Sequence, residues 1–229
     1  MTLHRFFVAA SDVVGDHFII PASIERQVSA VLRLRDGDRI VLLTDDGAEA
    51  ICRLQGGEVI VEERRASLGE PRHRLTVVQA LLKGDGLEEV VQHGTELGVA
   101  AFRPVVTDRC IVRELSSRRL DRLRRIAREA AEQSERGRIP EIHSPGALRE
   151  AFLPGSVLLL ERNEGSRLSE LDPPSSILIG PEGGFTAAEV ESAAAAGVRL
   201  AGLGPRILRS ETVAVAAAAA ILSRTGDFA

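Results

Sequence analysis

The pentapeptide Gly180-Pro181-Glu182-Gly183-Gly184 reads as a tight loop with little side chain, one that exposes its backbone. It follows the apolar run Ile177-Leu178-Ile179 and precedes Phe185-Thr186-Ala187-Ala188-Glu189-Val190, a pattern that predicts a buried strand, a tight loop and a helix start. In an open α/β sheet such a loop is a small-molecule site, because main-chain amides and carbonyls can approach a ligand there. No Lys, Ser or Thr directly follows the glycines, and Glu182 adds negative charge, the opposite of a phosphate cradle. The loop suits a ligand that is neutral or positive near the glycines. Lys83 is the only lysine in the chain, either a place that needs a compact ammonium or a chance survivor on a loop. Between Arg109 and Arg138 ten arginines face five acids, so a local patch could attract an anionic polymer. Plain solvation, with Asp121 and Glu129 as helix partners, is the competing reading of that patch.

At 229 residues, 44% hydrophobic and 27% charged, the chain is long enough for one large domain or two smaller ones, and two are expected. The net charge of −4 argues against a protein coated in nucleic acid. The amino terminus has no signal pattern, and no run of about 18 apolar residues occurs. Cys52 and Cys110 lack a metal-ligand pattern, which points to packing roles and a reducing, cytoplasmic setting.

Those sites need positioning elements. Residues 1–68 read as a small, mostly β unit: strands at 6–8 and 17–20, an amphipathic helix at 23–33, then strands at 39–43, 49–54 and 58–63 between Gly- and Asp-rich turns. Such a meander closes best as a small barrel. Residues 64–74 are taken as a linker. From 75 to 229 strands alternate with helices, the signature of a largely parallel sheet. The strands are expected at 75–82, 102–106, 157–161, 176–179 and 198–203, and the helices at 87–98, 116–135, 145–151 and 211–223. The last helix is apolar on every side, which predicts burial against a second copy in a homodimer or, alternatively, an internal core helix.

Several stretches together resemble the ribosomal RNA small subunit methyltransferase E family: Leu178 to Phe185 with Glu189, Leu203-Gly204-Pro205-Arg206-Ile207-Leu208-Arg209, and Glu211-Thr212. Arg5-Phe6-Phe7, Val31-Leu32-Arg33 and Gly37-Asp38 match its amino-terminal domain. Residues 79–83, 95–99 and 132–134 match its catalytic domain. The resemblance implies an α/β protein, a knotted (trefoil) SPOUT methyltransferase domain behind a small PUA-like β-barrel. It also implies S-adenosyl-L-methionine as cofactor, and methylation of N3 of a uridine in 16S ribosomal RNA, free or in the small ribosomal subunit. Departures include Glu135 where the family has Gly, Ser210 for Thr and Val213 for Ala. A non-enzymatic RNA-binding ribosome-assembly module and a SPOUT methyltransferase acting on transfer RNA are the alternatives.

The family's cofactor pocket falls here on Leu159, Leu160 and Glu161, on Ile179, Gly180, Pro181, Glu182, Gly183 and Gly184, and on Leu203, Gly204, Ile207, Leu208 and Thr212. Glu182 either favours the sulfonium cation or caps the following helix. Because N3 of uridine is weakly acidic, a fixed cation beside it is needed. Arg209 is assigned that task, with Glu211 orienting it or receiving the proton; the alternative is that both only pin the knot and cap the last helix. Arg33, Lys83, Arg128, Gln133, Arg136 and Arg138 are assigned to RNA.

Overall fold

The computed structural model describes residues 3–160 and 165–228. The chain divides into two compact units, residues 1–70 with 131–139, and residues 71–130 with 140–229.

The first unit carries β1 (His4–Phe7), β2 (His17–Ile19), α1 (Ala22–Arg26) continuing into one wide turn at Gln27–Val31, β3 (Arg39–Leu43), β4 (Ala48–Gln55) and β5 (Glu58–Ala66). They form one sheet in the order β1-β3-β4-β5-β2, with β1 parallel to β3 and every other pairing antiparallel. Gly56 and Gly57, at φ 61° and 83°, make the two-residue hairpin between β4 and β5 that needs left-handed backbone at both positions. β5 runs on to Ala66, so the expected linker begins as strand: Glu49 lies opposite Arg65, and the ladder continues through a charged segment. Ile40, Val41, Leu42 and Leu43 are all buried because the sheet is covered on both faces. Phe6, Ile24, Val28, Leu42 and Val59 form one core. Phe7, Val41, Leu43 and Ile51 form the other, closed by Ala131.

Polar bonds clip residues 131–139 into this unit. Phe7 donates its amide to Glu132 Oε1 at 3.0 Å, and Arg136, only 2% exposed, pairs with Glu70 at 3.1 Å. Glu49, itself buried, accepts from Arg5 and Arg65, each at 2.6 Å, while Arg5 also reaches Glu135 at 2.7 Å. Glu135 sits at φ 61°, the left-handed region that favours glycine after a helix, and its ion pair with Arg5 offsets that cost. Cys52 is fully buried, and burial pushes its thiol up to about 12.

The second unit contains β6 (Thr76–Ala80), α2 (Gly86–Leu97), β7 (Ala101–Val106), most of α3 (Ser117–Gln133), β8 (Glu141–Ile142), β9 (Gly146–Ala147), β10 (Ser156–Leu160), β11 (Ser166–Arg167), β12 (Ser176–Ile179), α4 (Ala187–Ala195), β13 (Arg199–Gly202) and α5 (Ser210–Arg224). All pairings in its sheet are parallel, in the order β11-β13-β10-β12-β6-β7-β8, with β9 also against β7. The expected helix at 145–151 is instead the bridge β9 and a single 3-10 turn at Leu148–Ala151, too short a segment to repay helix nucleation. β12 is buried throughout, as a central parallel strand covered on both faces must be. Gly94 lets α2 approach β7, since a Cβ there would lie 2.7 Å from the ring of Phe102. Gly98 ends the helix at φ 101°. Within the chain α5 buries Ala214, Ala217, Ala218, Ile221 and Leu222, a stripe at helical spacing, and packs on α2, β6 and β12. Among the described residues no helix is long and apolar enough to cross a membrane.

Candidate active site

The carboxyl ends of β13, β10, β12 and β6 lie side by side on one edge of the parallel sheet. Beyond them opens a cavity of about 920 Å³. Its apolar wall comes from Leu159, Leu160, Ile179, Leu203, Ile207 and Leu208, and its backbone-rich wall from Gly180, Pro181, Gly184 and Gly204. Glu182, Lys83, Arg209 and Glu211 also line it. Gly183 and Thr212 do not line it, and Glu161 lies outside the described residues. Leu82, Arg109, Phe185, Val190, Glu191 and Arg206 line it as well; Leu82, Phe185 and Arg206 belong to the matched stretches but are not among the residues assigned to the pocket.

The floor is a three-way junction. Gln79, at the end of β6 and 1% exposed, donates through Nε2 to Ser210 Oγ at 2.8 Å and to the Gly180 carbonyl at 3.4 Å. Ser210 Oγ donates to the same carbonyl at 2.6 Å. Two side chains thus tie the glycine loop to the first turn of α5 and to β6. Sequence separations of 131 and 30 residues hide this junction from any local pattern. Gly184 closes the loop as a turn, its amide donating to the Pro181 carbonyl at 2.9 Å.

Glu182 does not cap the following helix. Thr186 holds that position in a full capping box with Glu189, while Glu182 Oε1 accepts the backbone amide of Lys83 at 3.0 Å. Arg109 donates to the Gly183 carbonyl at 2.7 Å from the opposite side. The glycine loop is therefore held at Gly180, Glu182 and Gly183.

Arg209 directly precedes α5 and is exposed; its side chain makes no hydrogen bond or ion pair among the described residues, and none links it to Glu211. The amino-terminal end of α5 adds its own partial positive charge. Lys83 is likewise exposed, without a side-chain partner among the described residues. Of the other residues assigned to RNA, Arg128 lies on the exposed side of α3 in this unit. Arg33, Gln133, Arg136 and Arg138 belong to the first unit. Arg33 is exposed at φ 56°, Gln133 is exposed at the end of α3, Arg136 is buried on Glu70, and Arg138 donates to the Asp46 carbonyl.

The family model for an RNA methyltransferase domain matches residues 69–222. A Bacillus subtilis protein named ribosomal RNA small subunit methyltransferase E is 35% identical across 91% of this chain and 90% of its own. The chain belongs to the ribosomal RNA small subunit methyltransferase E family. A Synechocystis member is 34% identical over 95% of this chain and 77% of its own. The crystal structure of the Neisseria gonorrhoeae member, bound to S-adenosyl methionine, superposes with a TM-score of 0.88 at 32% identity, covering 97% of this chain and 98% of that one. A Legionella pneumophila methyltransferase in complex with the same cofactor superposes at 0.85 and 26% identity, covering 98% of both chains. The hydroxyl of Ser210 is the group that joins α5 to the Gly180 carbonyl on the cavity floor.

Proposed function

We propose that this protein uses S-adenosyl-L-methionine to methylate N3 of a uridine in 16S ribosomal RNA, free or in the small ribosomal subunit. The observation that carries the reading is the cavity at four parallel strand ends, walled by apolar side chains and main chain, with an arginine at its rim that has no side-chain partner among the described residues. The residues present fit the cofactor: leucine and isoleucine walls suit adenine, exposed backbone suits its polar edge, and no lysine-and-hydroxyl cradle for phosphate follows the glycines. When bound, the cofactor supplies an electrophilic methyl group: the N3–carbon bond forms, the methyl–sulfur bond breaks with its pair on sulfur, and the N3 proton leaves.

Leu159, Leu160, Ile179, Leu203, Ile207 and Leu208 hold the adenosine side by burial. Gln79 and Ser210 fix the Gly180 carbonyl, so that wall is preorganised. Arg209, without a side-chain partner among the described residues, stabilises the uracil anion left when N3 loses its proton, and Glu211, half-buried on the same cavity, receives that proton. The target uridine must be unpaired, because N3 is occupied in a base pair. Lys83, Arg128, Gln133 and Arg33 make RNA contacts; Arg136 and Arg138, engaged by Glu70 and Asp46, hold the first unit together.

The same reading takes the first unit as a PUA-like barrel and the carboxyl-terminal segment as a trefoil knot. The return of α5 against α2, β6 and β12 after β13, which lies two strands beyond β12, supports the latter. A homodimer through α5, whose Val213, Val215, Ala216 and Ala219 are only half-buried in one chain, belongs to it as well, as does action in the cytoplasm.

The test is nucleoside mass spectrometry. Small subunits from a strain lacking this activity, incubated with the protein and cofactor, should gain one 3-methyluridine in 16S RNA. Methylation of transfer RNA alone, or none in any RNA, would overturn the reading.

A further inference from the structure

A second cleft, of about 850 Å³, lies on the other side of the loop that joins β6 to α2. Lys83 of that loop and Gly86 at the start of α2 line the first cavity, while Gly84 and Asp85 line the cleft. The loop is therefore a wall common to both. Residues 83–86 span at most about 14 Å even when extended.

Arg119 of α3 fixes this wall. It grips Glu88 of α2 with Nε at 3.1 Å and Nη2 at 2.7 Å, and donates to the Gly84 carbonyl at 2.6 Å. Glu88 is buried and its charge is met, so this pair builds the cleft rather than offering charge to a ligand. The packing of Leu120, Leu123, Ala127 and Ala130 sets the rotation of α3 and leaves Arg118, Arg122 and Arg125 in a row along its outer crest at i, i+4 and i+7.

These three line the cleft and are weakly held. Arg118 makes no ion pair among the described residues. Arg122 has only long contacts, 3.4 Å to Asp85 and 3.6 Å to Glu88, and Arg125 only one, 3.9 Å to Glu129. Exposed pairs at such lengths exchange readily for a better anion. Asp121, the other acid of the cleft, is engaged by Arg124 at 3.0 Å. Guanidinium forks in a row match successive phosphates of a strand, with positioning but no base readout.

We infer that Arg118, Arg122 and Arg125 form a phosphate-binding ridge for the RNA strand flanking the target nucleotide, with the Lys83–Gly86 loop separating strand from methylation cavity. The inference rests on the RNA-methylation reading, but its test is one of binding and stands apart from activity.

The measurement is the affinity for a single-stranded 16S fragment as a function of salt. Combined Arg118→Gln, Arg122→Gln and Arg125→Gln should flatten the slope of log K against log salt by about 2, at roughly 0.7 per lost contact to a single strand. RNA binding should weaken at least tenfold, with cofactor affinity unchanged. The three corresponding lysine substitutions should restore most of the slope, and Arg124→Gln, off the crest, should leave it as in wild type. A triple glutamine variant with wild-type slope and affinity, or one in which Arg124→Gln has the same effect, would overturn the inference. If the wild type binds the fragment but methylates no ribosomal RNA, the functional reading fails while the slopes still decide the ridge.

Discussion

The two units treat the same residue type in opposite ways. In the first, arginines are tied down: Arg5 and Arg65 converge on buried Glu49, and Arg136 is enclosed with Glu70. In the second, three of the four cations that line the cavity, Lys83, Arg206 and Arg209, make no side-chain hydrogen bond or ion pair among the described residues, while the fourth, Arg109, holds the Gly183 carbonyl. Partnering inside the fold, not local charge density, thus separates an arginine that stabilises from one available to a substrate. Burial without a partner would be too costly for a charged group, so the first unit supplies carboxylates wherever its arginines are enclosed.

Substitutions can break this contrast from either side. The largest effect is expected at Arg209. Arg209→Ala should lower kcat for RNA methylation on the order of 100-fold or more, as loss of a fixed charge-stabilising donor does, while cofactor affinity measured by calorimetry changes little. Equal loss of cofactor binding would instead make Arg209 part of the pocket wall. Next comes Glu49→Ala, which leaves Arg5 and Arg65 without their shared carboxylate. Urea unfolding should show a loss of about 2–3 kcal/mol, below the full cost of a buried orphan because Arg5 keeps Glu135 and Arg65 is partly exposed. Ser210→Ala removes the donor to the Gly180 carbonyl and should weaken cofactor binding by about 1 kcal/mol, roughly fivefold, with Ser210→Thr restoring it. The smallest change is expected for Glu135→Gly. Relief of left-handed backbone, about 1 kcal/mol, and loss of the half-exposed pair with Arg5 should nearly cancel in the thermal midpoint.

The same contrast explains what the sequence could reveal. β12 and the glycine loop were legible because an apolar run ending in Gly-Pro-Glu-Gly-Gly is a local signal, and β3 because both its faces are buried. That loops at strand ends converge on one pocket follows from the strand pattern, whereas Leu160, Leu203 and Leu208 as its lining follow from the family resemblance. Glu182 was not legible: the partner that fixes it is a backbone amide 99 residues away. Nor was the placement of residues 131–139, whose helical pattern runs on from α3 while their polar side chains bind the first unit. Arg136 and Arg209 look alike in one dimension, and only long-range contacts tell them apart.

Calorimetric titration with S-adenosyl-L-methionine, of wild type and of a folded Val190→Trp variant that fills the cavity from α4, tests the central claim most directly. Saturable binding to wild type at one cofactor per chain, abolished in the variant, is the expected result. No binding to wild type, or undiminished binding to the filled cavity, would contradict it.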